Sequence, residues 1–238
     1  PGGGYMVAGL TKSKGAGSAD MWVVKIDDQG HKQWDRTYGG SKYDKADAII
    51  PAPGGGYMVA GLTKSKGAGS ADMWVVKIDD QGHKQWDRTY GGSKYDKADA
   101  IIPAPGGGYM VAGLTKSKGA GSADMWVVKI DDQGRKQWDR TYGGSDWDSA
   151  SAITPAPGGG YMVAGLTKSK GAGSADMWVV KIDDQGHKQW DRTYGGSKYD
   201  KADAIIPAPG GGYMVAGLTK SKGAGSADMW VVKIDDQG

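Results

Sequence analysis

Polar and apolar positions along the chain fall into short runs of two kinds, broken by glycine and proline. Over residues 72–92 an apolar run is followed by a polar turn ending in Gly82, then by an alternating run around Trp86. Such a pattern predicts a β-hairpin. The same stretch recurs from Asp20, from Asp124 with one change and from Asp176, and begins again at Asp228.

Pro-Gly-Gly-Gly-Tyr starts at Pro1, Pro53, Pro105, Pro157 and Pro209, giving units 1–52, 53–104, 105–156 and 157–208 and a partial unit 209–238. Four strands are predicted per period. Strand A lies near 98–102 and ends at a Pro-Ala-Pro-Gly-Gly-Gly turn, which proline and glycine enforce. Strand B is 109–115, strand C 125–130 and strand D 136–142. Strands B and C are apolar at nearly every position and call for burial on both faces. Strand D alternates, with Trp138 and Tyr142 on one side and Asp139 and Thr141 on the other.

Sheets covered on both faces, each with a half-wet outer strand, predict an all-β fold. The expected architecture is a β-propeller or propeller-like array of sequential four-stranded antiparallel blades. A helical reading fails because good helix formers are sparse and no apolar stripe has a period of 3.6.

Composition agrees. There are 43 glycines and nine prolines, and every one of the 27 acidic residues is Asp. Aspartate favours turns and caps, where glutamate would favour helix interiors. With no cysteine, disulfides and thiolate-held metals are excluded. A formal charge of +3 is too small to imply a nucleic-acid or membrane partner. No apolar run approaches the roughly 20 residues of a membrane-spanning helix. The start at Pro1 suggests a processed chain or part of a longer one.

The blocks Asp-Met-Trp-Val-Val-Lys-Ile-Asp-Asp-Gln-Gly, Gln-Trp-Asp-Arg-Thr-Tyr-Gly-Gly-Ser and Gly-Gly-Tyr-Met-Val-Ala-Gly-Leu-Thr resemble the bacterial seven-bladed-type β-propeller repeat, a family with kelch-like blades. The resemblance covers essentially the whole chain, although the chain holds fewer than seven complete units. It implies a propeller from exported or surface-attached bacterial proteins with adhesion-like roles, and it brings no catalytic residues. Copies this alike arise by recent gene amplification or by construction in the laboratory.

One face of the array is expected to carry the long B–C and D–A loops, and long loops on a rigid scaffold are where binding concentrates. Two readings of them stand. In one, Tyr43, Tyr95, Trp147 and Tyr199 are stacking platforms, one shallow saccharide site per blade, with Lys94, Asp96 and Asp146 as neighbouring hydrogen-bonding groups. In the other, each aromatic covers the end of the core beneath a solvated loop. The third unit departs from the rest: Asp146, Trp147, Ser149, Ser151 and Thr154 stand where the second has Lys94, Tyr95, Lys97, Asp99 and Ile102, and Arg135 replaces a histidine. These changes make one sector more acidic, either as a distinct subsite or by drift.

Other chemistry has less behind it. The Asp79-Asp80 turns lack further oxygen ligands at calcium-loop spacing, and the histidines fall on different blades, so no metal is expected. No histidine lies near a serine in a nucleophile elbow. An aspartate dyad at the channel mouth is the one catalytic arrangement left open. Gly-Gly-Gly is not followed by Lys-Ser/Thr and forms no phosphate loop. The expected function is therefore a non-enzymatic scaffold or adhesion module without cofactor, with a carbohydrate-binding propeller as the alternative. Strand sharing between incomplete terminal sheets predicts self-association.

Overall fold

A computed structural model describes residues 3–238, as eighteen strands in five antiparallel sheets. The first sheet is β1 (Tyr5–Thr11), β2 (Asp20–Ile26) and β3 (Lys32–Tyr38). The second is β4 (Asp44–Pro51), β5 (Tyr57–Thr63), β6 (Asp72–Ile78) and β7 (Lys84–Tyr90). The third is β8 (Asp96–Pro103), β9 (Tyr109–Thr115), β10 (Asp124–Ile130) and β11 (Lys136–Tyr142), and the fourth β12 (Asp148–Pro155), β13 (Tyr161–Thr167), β14 (Asp176–Ile182) and β15 (Lys188–Tyr194). The fifth is β16 (Asp200–Pro207), β17 (Tyr213–Thr219) and β18 (Asp228–Ile234). Strands within each sheet follow chain order. Each 52-residue unit therefore straddles two sheets, closing one and opening the next.

Both faces of strands B and C are buried, for the reason their sequence suggests. In the third sheet, Tyr109, Val111, Trp126, Val128 and Ile130 pack on Met58, Ala60, Met73 and Val75 of the sheet before. The alternate residues Met110, Ala112, Met125 and Val127 pack on Tyr161, Val163, Trp178 and Val180 of the sheet after. Each such fully buried side chain contributes roughly 1.5–3 kcal/mol relative to exposure. Strand D adds Trp138 and Tyr142 to the same interface, and its other face stays wet.

The C–D turn is set by its aspartate. Asp131 Oδ1 accepts from the backbone N–H of Gln133 at 2.9 Å and of Arg135 at 2.8 Å, an Asx-type closure. Gly134 has φ +73°, and a Cβ there would lie 2.7 Å from the Trp86 ring of the preceding sheet. Only glycine lets the turn tuck under that ring.

Strand A departs from expectation. It runs longer, over Asp96–Pro103, and its register slips between Ala98 and Ala100, leaving Asp99 as a bulge. Ring closure is also absent. Tyr5 is 65% exposed and Met229 85%, whereas their interior counterparts Tyr109 and Met125 are at 1% and 0%. The molecule is an all-β stack of sheets of three or four strands with two open ends. Among the described residues no helix is long and apolar enough to cross a membrane.

Candidate functional site

The strands that open the second to fifth sheets, β4, β8, β12 and β16, pack successively side by side. Along them the bulge falls at equivalent places: Asp47, Asp99, Ser151 and Asp203. A bulge bends its strand and re-aims a side chain. Here it puts all four residues on the wall of one cavity of about 680 Å³. Lys97, Ser149 and Lys201, two residues earlier in their strands, line it too, as do Tyr95, Trp147 and Tyr199 from the D–A loops.

The bulge needs glycine opposite. A Cβ on Gly113 would run into the carbonyl oxygen of Lys97 and lie 2.9 Å from Cα of Ala98. Gly113 sits inside the otherwise apolar strand Tyr109–Thr115, and an isolated glycine within a strand is a sequence sign of a bulge or close backbone approach. That sign was available in the sequence, and it points to the inner-strand residues that loop reasoning passed over.

Charge in the cavity is organised in short pairs. Lys97 Nζ lies 2.5 Å from Asp99 Oδ1 and Lys201 Nζ 2.6 Å from Asp203 Oδ1, while Lys45 pairs with Asp47. The second oxygens of Asp47 and Asp99 are buried without a hydrogen-bond partner. Burial pushes the Asp99 carboxyl up from the ordinary carboxylate range; Lys97 offsets this in part, and the Asp47 charge adds to it. Burial likewise pushes the Tyr95 phenol up to about 12, with Asp99 and Asp47 reinforcing the shift. Tyr95 therefore keeps its phenol proton at neutral pH.

Lys116 stands between two of the rings, 4.6 Å from the Trp147 centroid and 6.0 Å from that of Tyr95, within cation–π reach of both. Three of the six substitutions in the third unit fall here. Ser149 and Ser151 replace a Lys–Asp pair with two hydroxyls, and Trp147 widens the aromatic surface. One quadrant of the wall is uncharged and the others are zwitterionic.

Three of the aromatic candidates, Tyr95, Trp147 and Tyr199, therefore line a single cavity, where one site per blade was expected. Tyr43 lies outside that lining, with Lys64 Nζ 5.7 Å over its ring. Asp96 lies outside the cavity lining and latches the strand end to the neighbouring loops. Fully buried, its carboxylate accepts from the Thr115 hydroxyl, from Ser117 Oγ at 2.6 Å and from Gly92 N–H at 2.9 Å. Lys94 and Asp146 are exposed loop residues outside the cavity. Their backbone N–H groups donate to Ser117 Oγ at 3.1 Å and Ser169 Oγ at 3.0 Å, tying the D–A loop to the next B–C loop.

No family model matches this chain. It is 26% identical over 193 residues to "Regulatory protein FlaEY" of Caulobacter vibrioides, an alignment covering 71% of this chain. The chain spans about a fifth of that relative, 19% of its length. A crystal structure of a Bacteroides caccae protein of unknown function superposes with a TM-score of 0.56 and 12% identity, covering 92% of this chain and 74% of that one. At that identity the likeness speaks of fold alone. Among the described residues, no group of three or more His, Asp or Glu side chains is placed to hold a metal ion.

Proposed function

We propose that this chain is a non-enzymatic repeat module of the bacterial seven-bladed-type propeller family, acting as a scaffold at the bacterial surface, and that its cavity takes a saccharide. The propeller reading rests on the repeat motifs, the four-stranded sheets stacked on both faces and the adjacency of the four strands around the cavity. A role exercised by binding is in keeping with the regulatory description of the Caulobacter vibrioides relative.

One observation carries the ligand class. Tyr95, Trp147 and Tyr199 share a cavity with Ser149, Ser151 and the Lys97–Asp99 and Lys201–Asp203 pairs. Flat rings match the apolar faces of a sugar, and hydroxyl and charged groups on the same wall supply hydrogen-bond partners for its hydroxyls. A wall that mixes ion pairs with Ser149 and Ser151 favours a polyhydroxylated ligand over a strongly charged one.

A glycan array followed by titration calorimetry tests this. Binding by the parent chain should be lost when Tyr95, Trp147 and Tyr199 are changed together to Ala, with little loss of stability. A chain that captures no glycan keeps the scaffold reading and loses the saccharide. Bound glycan returned cleaved would replace both readings with an enzyme built on Asp47 and Asp99.

A further inference from the structure

Residues 5–26 and 213–234 have the same sequence, and it recurs at 57–78, 109–130 and 161–182. These are five identical B–C hairpins. In the stack each hairpin presents two different apolar faces. The leading face carries the Tyr57, Val59, Trp74, Val76 and Ile78 set and packs on the preceding sheet. The trailing face carries the Met58, Ala60, Met73 and Val75 set and packs on the following one. Leading meets trailing at all four interior junctions.

Two such faces are uncovered. The first sheet shows its leading face, with Tyr5 65% and Val7 52% exposed. The fifth shows its trailing face, with Met229 85%, Val231 50% and Ile206 59% exposed. We infer that the trailing face of the fifth sheet docks on the leading face of the first sheet of a second copy of this chain. The occupant follows from the interior junctions, because the uncovered faces consist of the same residues that already bury each other four times within one chain. This pairing is distinct from strand sharing, since no strand leaves its own sheet.

The contact is heterologous, head to tail, so it propagates into rings or filaments and does not stop at a symmetric pair. It is also narrower than an interior junction. The fifth sheet has no D strand, so nothing in it corresponds to the Trp86 and Arg88 side chains that close over Gly134. Among the described residues the first sheet has no A strand to add the equivalents of Ala46 and Ile49. A weaker version of the interior contact should associate reversibly.

Light scattering across micromolar concentrations should give the parent chain masses that rise above 24.9 kDa in multiples of it. Tyr5→Asp blocks the leading face and Met229→Asp the trailing face, each at a position remote from the interior core. Either variant alone should remain at one chain length. Their mixture should form a one-to-one pair and go no further, because each supplies the face the other has lost. Val7→Asp and Val231→Asp repeat the test at independent positions, with circular dichroism confirming the β fold. A parent chain that stays monomeric overturns the inference. So does association that persists in a single variant, the result expected of strand sharing, or a mixture that fails to pair.

Discussion

The Tyr90 hydroxyl donates to the carbonyl oxygen of Gly134, in the next sheet, at 2.6 Å. Tyr38 with Gly82 and Tyr142 with Gly186 repeat the bond at 2.6 and 2.7 Å, so β3, β7 and β11 are each pinned to the C–D turn of the next sheet.

That bond can be tested directly. Tyr90→Phe should cost about 1 kcal/mol, the usual net worth of one hydrogen bond. Urea midpoints of the variant and the parent chain at unchanged slope provide the comparison.

Acid should weaken the sheets in a defined window. Burial raises the Asp87 carboxyl, but hydrogen bonds from Lys66, Lys84 and Trp74 outweigh it and hold it at about 2, against an ordinary value of 3.8. Asp139 and Asp191 are held at about 2 in the same way. A carboxyl depressed on folding stabilises the native state above its unfolded value, and that contribution disappears as pH falls through the folded value. Melting temperature should therefore drop between about pH 4 and pH 2. Solvent screening keeps the effect modest. Changing Asp87, Asp139 and Asp191 to Asn should flatten the profile; a profile unchanged by the three substitutions would refute the assignment.

Two tryptophans recur in each complete sheet, and they should not be equivalent. Trp74 is 1% exposed and its Nε1 donates to Asp87 at 3.0 Å, whereas Trp86 is only half-buried at the sheet margin. Trp74→Ala should cost about 3–5 kcal/mol, and Trp86→Ala clearly less. With Trp74, Trp126 and Trp178 all truncated, the loss of about 9–15 kcal/mol is as large as the roughly 5–15 kcal/mol that holds a whole domain. Near-ultraviolet circular dichroism should then show no fixed tertiary packing.

Asp96→Ala should lower stability by about 3 kcal/mol, because the Thr115 and Ser117 hydroxyls and the Gly92 N–H lose a buried carboxylate together. Thermal melts read this directly. Asp96→Asn should recover part of the loss, since an amide oxygen still accepts.

Much of the architecture was legible along the chain. Apolar positions on both faces of Tyr109–Thr115 and Asp124–Ile130 require a sheet between two others, and alternation in Lys136–Tyr142 places that strand at a wet margin. Turn chemistry at Asp131 and Gly134 was equally local. These features are determined by side-chain period and backbone sterics within a few residues. The candidate site was only half visible, because loop length pointed to Tyr95, Trp147 and Tyr199 but also to Lys94 and Asp146, which stay outside the cavity.

Tertiary structure decided the rest. Asp96 and Asp99 stand three residues apart in one strand, yet the first is buried under Thr115 and Ser117 and the second faces the cavity. The register slip between Ala98 and Ala100 separates their roles, and its position depends on how closely Gly113 lets two backbones approach. Identical hairpins differ in the same way: Tyr109 and Val111 are core, whereas their counterparts Tyr5 and Val7 are open surface. Local sequence specified which faces are apolar; only the stacking of sheets determined which of them had a neighbour to exclude water.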